Sequence, residues 1–142
     1  MKKTKQLLFA ITALITLNLF SQDISIHNNI ALVNGKEYVS INKKKSDEYS
    51  ISSLKTNEKN IVVKTNKRFN TYKNEYVLLP TVTFVDLNKT WDFETESITN
   101  EKDVIRFIYN LKIVSLSGEV NKEMALEYYD YFEKQSKTQS QN

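Results

Sequence analysis

The sequence predicts an α+β fold, an antiparallel sheet of about six or seven short strands followed by two C-terminal helices. Three observations carry this expectation. From Asp23 to Glu96 apolar and polar residues alternate with period two, in short runs broken by turn signals. From Ser97 onward the apolar period changes to three and four residues, which is helical. Between the two regimes lies Tyr76 to Glu96, the densest apolar run after the N-terminus, holding the only Pro and the only Trp of the chain. The alternative architecture for the same pattern is a β-sandwich or small barrel with a C-terminal helix.

The first 21 residues stand apart from the domain. Lys2, Lys3 and Lys5 form a positive start, Leu7 to Phe20 an apolar run softened by Thr12, Thr16 and Asn18, and Ser21 a small residue before Gln22. That is the pattern of a secretory signal peptide, cut at Ser21-Gln22. A membrane-spanning helix needs about 20 apolar residues, and this run is shorter and interrupted. The expectation is an exported protein, periplasmic or extracellular, with no membrane span after cleavage. Residues 22–135 then form a single domain and residues 136–142 a disordered tail.

The charge balance follows from that division. The chain has 20 basic and 17 acidic side chains, and the three leader lysines account for the excess, leaving 17 of each. The apparent basicity therefore belongs to the leader and is no nucleic-acid footprint. Lys43, Lys44 and Lys45 are followed at once by Asp47 and Glu48, too few cations without interleaved aromatics to track phosphates. With no cysteine there is no disulfide, and a single His disfavours a zinc site. Two glycines in the chain exclude a glycine-rich phosphate loop. No cofactor is implied.

Along the sheet region the first strand is Asp23 to Ile26. Next, Asn34-Gly35 between Ile30–Val33 and Lys36–Ile41 predicts a two-residue hairpin with a type I′ turn, because both central residues must take positive φ. The register from that turn sets Val33 opposite Lys36, Leu32 opposite Glu37, Ala31 opposite Tyr38 and Ile30 opposite Val39. Ile30, Leu32, Val39 and Ile41 would then share the buried face. Gly35→Val should lower the melting temperature by several degrees. Lys43 to Glu48 reads as a charged connection, Tyr49 to Ser52 as a strand, and Ile61 to Thr65 as a β-branched strand. Asn66 to Asn74 reads as a polar loop whose Phe69 and Tyr72 are expected to tuck beneath it, with exposure as binding groups the alternative.

In the central stretch the inward parity changes from odd at Val77 and Leu79 to even at Val82 and Phe84. A bulge at Pro80, or a break at Leu79, would accommodate this. Asp86 to Lys89 turns the chain and Thr90 to Glu96 returns as a strand. Val104, Phe107, Ile108 and Leu111 then define a helix capped by Thr99 or Asn100, with Glu101 and Asp103 in its first turn. Ile113 to Leu116 reads as a short last strand. Asn121 caps a second helix to about Gln135, with Met124, Tyr128, Tyr131 and Phe132 along one face and Tyr129 partly off it.

No catalytic or ligand-binding motif exceeds chance occurrence, so function rests on weighed candidates. One is an acidic cluster, Asp86, Asp92, Glu94 and Glu96, whose carboxylates suit a Ca²⁺ site or the acid and base of a glycan hydrolase. Asp92, Glu94 and Glu96 also alternate as a plain solvent-facing strand does. His27, beside Asp23 and Asn28 and without a nucleophile partner, reads as a surface residue at a strand end. The other candidate is Tyr128, Tyr129 and Tyr131, since Tyr buries ring area while its hydroxyl stays hydrated. Of the two, a non-enzymatic module binding a protein or cell-surface partner through these tyrosines is the favoured expectation. The carboxylate-dependent hydrolase is the alternative.

Overall fold

A computed structural model of the chain describes residues 22–93 and 97–139. The expected signal peptide therefore lies outside the described residues, as do Glu94 and Glu96. Seven strands form one sheet in sequence order: β1 (Ile24–His27), β2 (Ile30–Val33), β3 (Lys36–Lys45), β4 (Glu48–Ser52), β5 (Lys59–Asn70), β6 (Glu75–Phe84) and β7 (Lys89–Asp92). Each pairs antiparallel with the next, as short hairpin connections allow. Two helices follow, α1 (Glu101–Leu111) and α2 (Lys122–Gln139). The α+β expectation, a sheet and then two helices, is what the chain forms.

One face of the sheet makes the core. Cross-strand partners Ile41, Ile51, Ile61 and Phe84 form one continuous row, and Tyr49, Val63, Val82 and Trp91 a second. All eight are buried. The same core takes in α1, which buries Val104, Ile105, Phe107 and Ile108. Leu111, expected in that stripe, is half-buried, and Ile105 takes its place.

The Asn34-Gly35 turn forms with φ of 53° and 77°, and its first two pairs are Val33 with Lys36 and Leu32 with Glu37. Beyond them the expected register is wrong. Ala31 pairs with Val39 and Ile30 with Ser40, so β3 carries one extra residue at Tyr38. This bulge reverses the predicted face of β2: Ala31 and Val33 are buried, whereas Ile30 and Leu32 are half-exposed. It also lets Tyr38 and Val39, neighbours in sequence, both enter the core.

Two expected connections are strand instead. β3 runs on through the three lysines to Lys45. β5 continues to Asn70 and β6 starts at Glu75, so the supposed loop from Asn66 to Asn74 is mostly a β-ladder closed by a short turn. That ladder is unbroken from Ile61 opposite Phe84 to Asn70 opposite Glu75. Pro80 therefore needs no bulge, and the parity change is real, since Val77 and Leu79 lie half-buried on the outer face. On its other side Pro80 accepts a hydrogen bond from the Phe93 N–H at 2.9 Å, and lacking an N–H it cannot return one. The ladder to β7 stops there, which shortens β7 to end at Asp92.

Between the helices, Ile113 to Leu116 makes only a bridge of Val114 with Val120 rather than a strand. Asn121 caps α2 by accepting the Met124 N–H at 3.1 Å. The helix reaches Gln139, so the segment expected to be a tail from Ser136 is helical that far.

Candidate functional site

The described acidic candidates are tied into the framework. Asp86, in the turn before β7, lies 3.7 Å from Lys122 Nζ of α2. Asp92, at the other end of β7, accepts from Arg68 Nη2 at 2.9 Å through one oxygen and from the Thr81 hydroxyl through the other. Thr81 in turn accepts from the Asn66 amide, and Thr83 bonds Thr90 at 2.8 Å. The result is a polar strap across the outer faces of β5, β6 and β7. Among the described residues no group of three or more His, Asp or Glu is arranged to hold a metal ion. His27 is exposed at the end of β1.

The tyrosines of α2 divide. Ala125 is fully buried, and Tyr128 and Tyr129, three and four residues on, are half-buried beside it. Tyr129, expected partly off the packed face, is half-buried against the sheet. Its ring centroid is 6.0 Å from that of Trp91, and Lys89 Nζ stands 4.6 Å from it on β7. Tyr131, expected in the stripe, is 57 % exposed.

A cleft of about 240 Å³ opens between the β2–β3 turn and the connection from α1 to α2. Tyr38, Tyr109, Lys36 and Glu37 line it with Leu116. Tyr38 donates to the Val114 carbonyl at 3.2 Å and meets Tyr109 edge-on at 5.3 Å. Burial, with Tyr109 beside it, pushes its phenol well above the ordinary range, so this hydroxyl is a fixed donor rather than an acid.

A further group of side chains stands at the end of the β5–β6 ladder. β4 accompanies β5 only as far as Lys64, and the Thr65 N–H is taken by the Asp47 carbonyl. Past that point β5 continues with β6 through five more pairs, Asn66 with Leu79, Lys67 with Leu78, Arg68 with Val77, Phe69 with Tyr76 and Asn70 with Glu75. On the far side of β6 the Ile98 N–H still bonds the Leu78 carbonyl at 2.9 Å, so the last three pairs stand as a two-stranded arm. At a rise of about 3.3 Å per residue these three pairs make an arm on the order of 10 Å long before its turn. The face that carries Ile61, Val63 and Thr65 in the core carries Lys67 and Phe69 here, outside the helices' cover.

Phe69 and Tyr76 meet edge-to-face at 5.2 Å, and Lys67 Nζ lies 4.7 Å from the Tyr76 ring. Both rings remain open to solvent, Phe69 by 49 % and Tyr76 by 65 %. Tyr72, in the turn, is 99 % exposed. The turn is held by Asn70, whose side-chain oxygen accepts the N–H groups of Tyr72 at 3.0 Å and Lys73 at 3.1 Å, and by Asn74 at a φ of 53°. Phe69 and Tyr72, expected beneath a loop, are thus displayed on a strand end and a turn. The sequence reading missed Tyr76 as their partner, although Phe69 and Tyr76 sit symmetrically about a turn that ends in Asn.

The chain matches no family model, and no curated protein and no solved structure shows significant similarity to it.

Proposed function

We propose that this chain is an exported, non-enzymatic binding module whose contact surface is the end of the β5–β6 arm. One observation carries the reading: three aromatic side chains, Phe69, Tyr72 and Tyr76, are displayed together on a two-stranded projection beyond the core. A cross-strand aromatic pair stabilises a hairpin, which accounts for Phe69 and Tyr76. The Tyr72 ring, 99 % exposed, packs against nothing in the hairpin and is held outermost by a turn that is itself fixed. Rigid, exposed aromatics are the usual anchors of recognition, because they bury much area for little lost side-chain freedom. The leader-like charge and apolar pattern of the first 21 residues supports the export part of the proposal.

A photo-crosslinking side chain placed at position 72, in protein made in its own cells, tests the reading. Adducts to a macromolecule should form there and be lost when Phe69 and Tyr76 are both changed to Ser. If instead adducts form from position 131 on α2 and none from position 72, the last helix is the contact surface and the arm is not.

A further inference from the structure

We propose that the end of the β5–β6 arm docks on an anionic lipid surface, with Tyr72 at the headgroup level and Lys67 and Lys73 facing the lipid charge. The inference rests on the arm being the contact surface and names what covers it. Two features choose this occupant. Arg68 is held by Asp92 at 2.9 Å, so from Lys67 to Tyr76 the arm offers Lys67 and Lys73 against the single acid Glu75, and its complement is negative. The rings are also disposed for an interface rather than for stacking. Tyr76 already has Lys67 Nζ at its ring and Phe69 against it at an interplanar angle of 69°, which leaves no flat two-ring platform for a sugar or a base. Tyr72 stands alone at the outermost point with Lys73 next to it. An amphipathic ring beside a cation is the pairing that settles at a bilayer's polar boundary, where the ring finds a half-apolar medium and the ammonium finds lipid phosphate.

The energetics favour a reversible, charge-dependent attachment. Each lysine near an anionic surface strengthens partition by about fivefold, and the gain falls within a screening length of roughly 8 Å at physiological salt. A rigid turn loses little freedom on docking.

The test uses the Tyr72→Trp variant of the full chain as a reporter at the arm's end, read as a difference from wild type to remove the signal of buried Trp91. The added emission should shift to the blue with phosphatidylglycerol-containing vesicles and not with phosphatidylcholine vesicles. Adding Lys67→Ala and Lys73→Ala should weaken the response by roughly tenfold or more, and high salt should abolish it. Because the reporter sits at the arm, attachment through the apolar N-terminal run leaves it unchanged. A shift that is equal on both vesicle types, or that ignores the lysines, overturns the proposal. The same reporter titrated with a soluble anionic polysaccharide separates the two readings. A response to the polysaccharide without one to vesicles overturns the lipid assignment and keeps the arm as the contact surface; silence toward both overturns the lipid assignment, and the crosslink at position 72 then decides the arm.

Discussion

Among the described residues, six of the seven non-glycine positions with positive φ are asparagines: Asn28, Asn29, Asn34, Asn57, Asn74 and Asn88. The chain has only two glycines, and Asn is the side chain that tolerates this region best because its short amide bonds the local backbone. Asparagine therefore does most of the turning of this sheet. The two glycines are not equivalent. At Gly35 a Cβ would meet nothing within 4 Å, so a substitution costs only the strain of its φ of 77°. At Gly118 the φ is 79° and a Cβ would lie 2.8 Å from the Tyr38 carbonyl oxygen and 3.2 Å from Val39 Cγ1. The same bulge that brings Tyr38 and Val39 inward thus demands glycine across from it. Gly35→Ala should cost about 1–2 kcal/mol, the ordinary penalty of the left-handed region, and Gly118→Ala clearly more. Paired thermal melts of the two variants check the order, and equal losses would show that the connection yields freely.

At the scale of elements, α1 is held at its start by a reciprocal pair of side chains. Asn100 Oδ1 accepts the Asp103 N–H at 3.0 Å, while Asp103 Oδ2 accepts the Thr99 N–H at 3.0 Å and the Thr99 hydroxyl at 2.7 Å. Arg106 Nη1 adds a contact at 2.9 Å to the other oxygen. Partial burial would raise the Asp103 carboxyl, but the Thr99 hydrogen bonds, Arg106 and the Asn100 backbone outweigh it and hold the group below its ordinary 3.8. A carboxyl depressed in the folded state stabilises above its unfolded pKa, and that stabilisation is lost as pH falls through the folded value. Asp103→Asn should therefore lower the melting temperature at pH 7 by a few degrees, in line with a capping loss of about 1 kcal/mol. The gap between variant and wild type should close as pH drops below about 4, and a gap constant with pH would assign the effect to shape instead of charge. The capping residues and acidic first turn were legible beforehand, since such bonds span only four residues of sequence. The length of the β5–β6 ladder was not, because Asn66 to Asn74 is polar by composition and its strand character comes from the partner strand.

In the whole molecule, one aromatic chain ties sheet to helices. Phe84 stacks on Trp91 at 4.6 Å, Trp91 meets Phe93 at 5.7 Å, Phe93 meets Phe107 of α1 edge-on at 4.9 Å, and Trp91 meets Tyr129 of α2 at 6.0 Å. Trp91 is the junction. Its loss to Ala should cost about 3–5 kcal/mol, the range for an emptied aromatic site. Trp91→Phe should cost well under half of that, because among the described residues the buried indole N–H has no hydrogen-bond partner and its removal relieves a desolvated donor. Denaturant titrations of both variants make the comparison, and equal losses would indicate that the indole N–H is satisfied in solution.

By itself the sequence determined the kind and order of the elements: alternation marked strands, Asn-Gly marked the β2–β3 turn, and the stripe with its caps marked α1. These are local signals, carried by residues within a few positions of one another. Only the tertiary structure decided which face of β2 is buried, why Pro80 sits in a straight strand, and that Tyr129 packs while Tyr131 does not. It also decided that Phe69, Tyr72 and Tyr76 stand clear of the core on one arm. Each of these depends on what lies across a ladder or beneath a helix. A single extra residue at Tyr38 changes the face of a neighbouring strand, and an aromatic is core or surface according to whether another element reaches far enough to cover it.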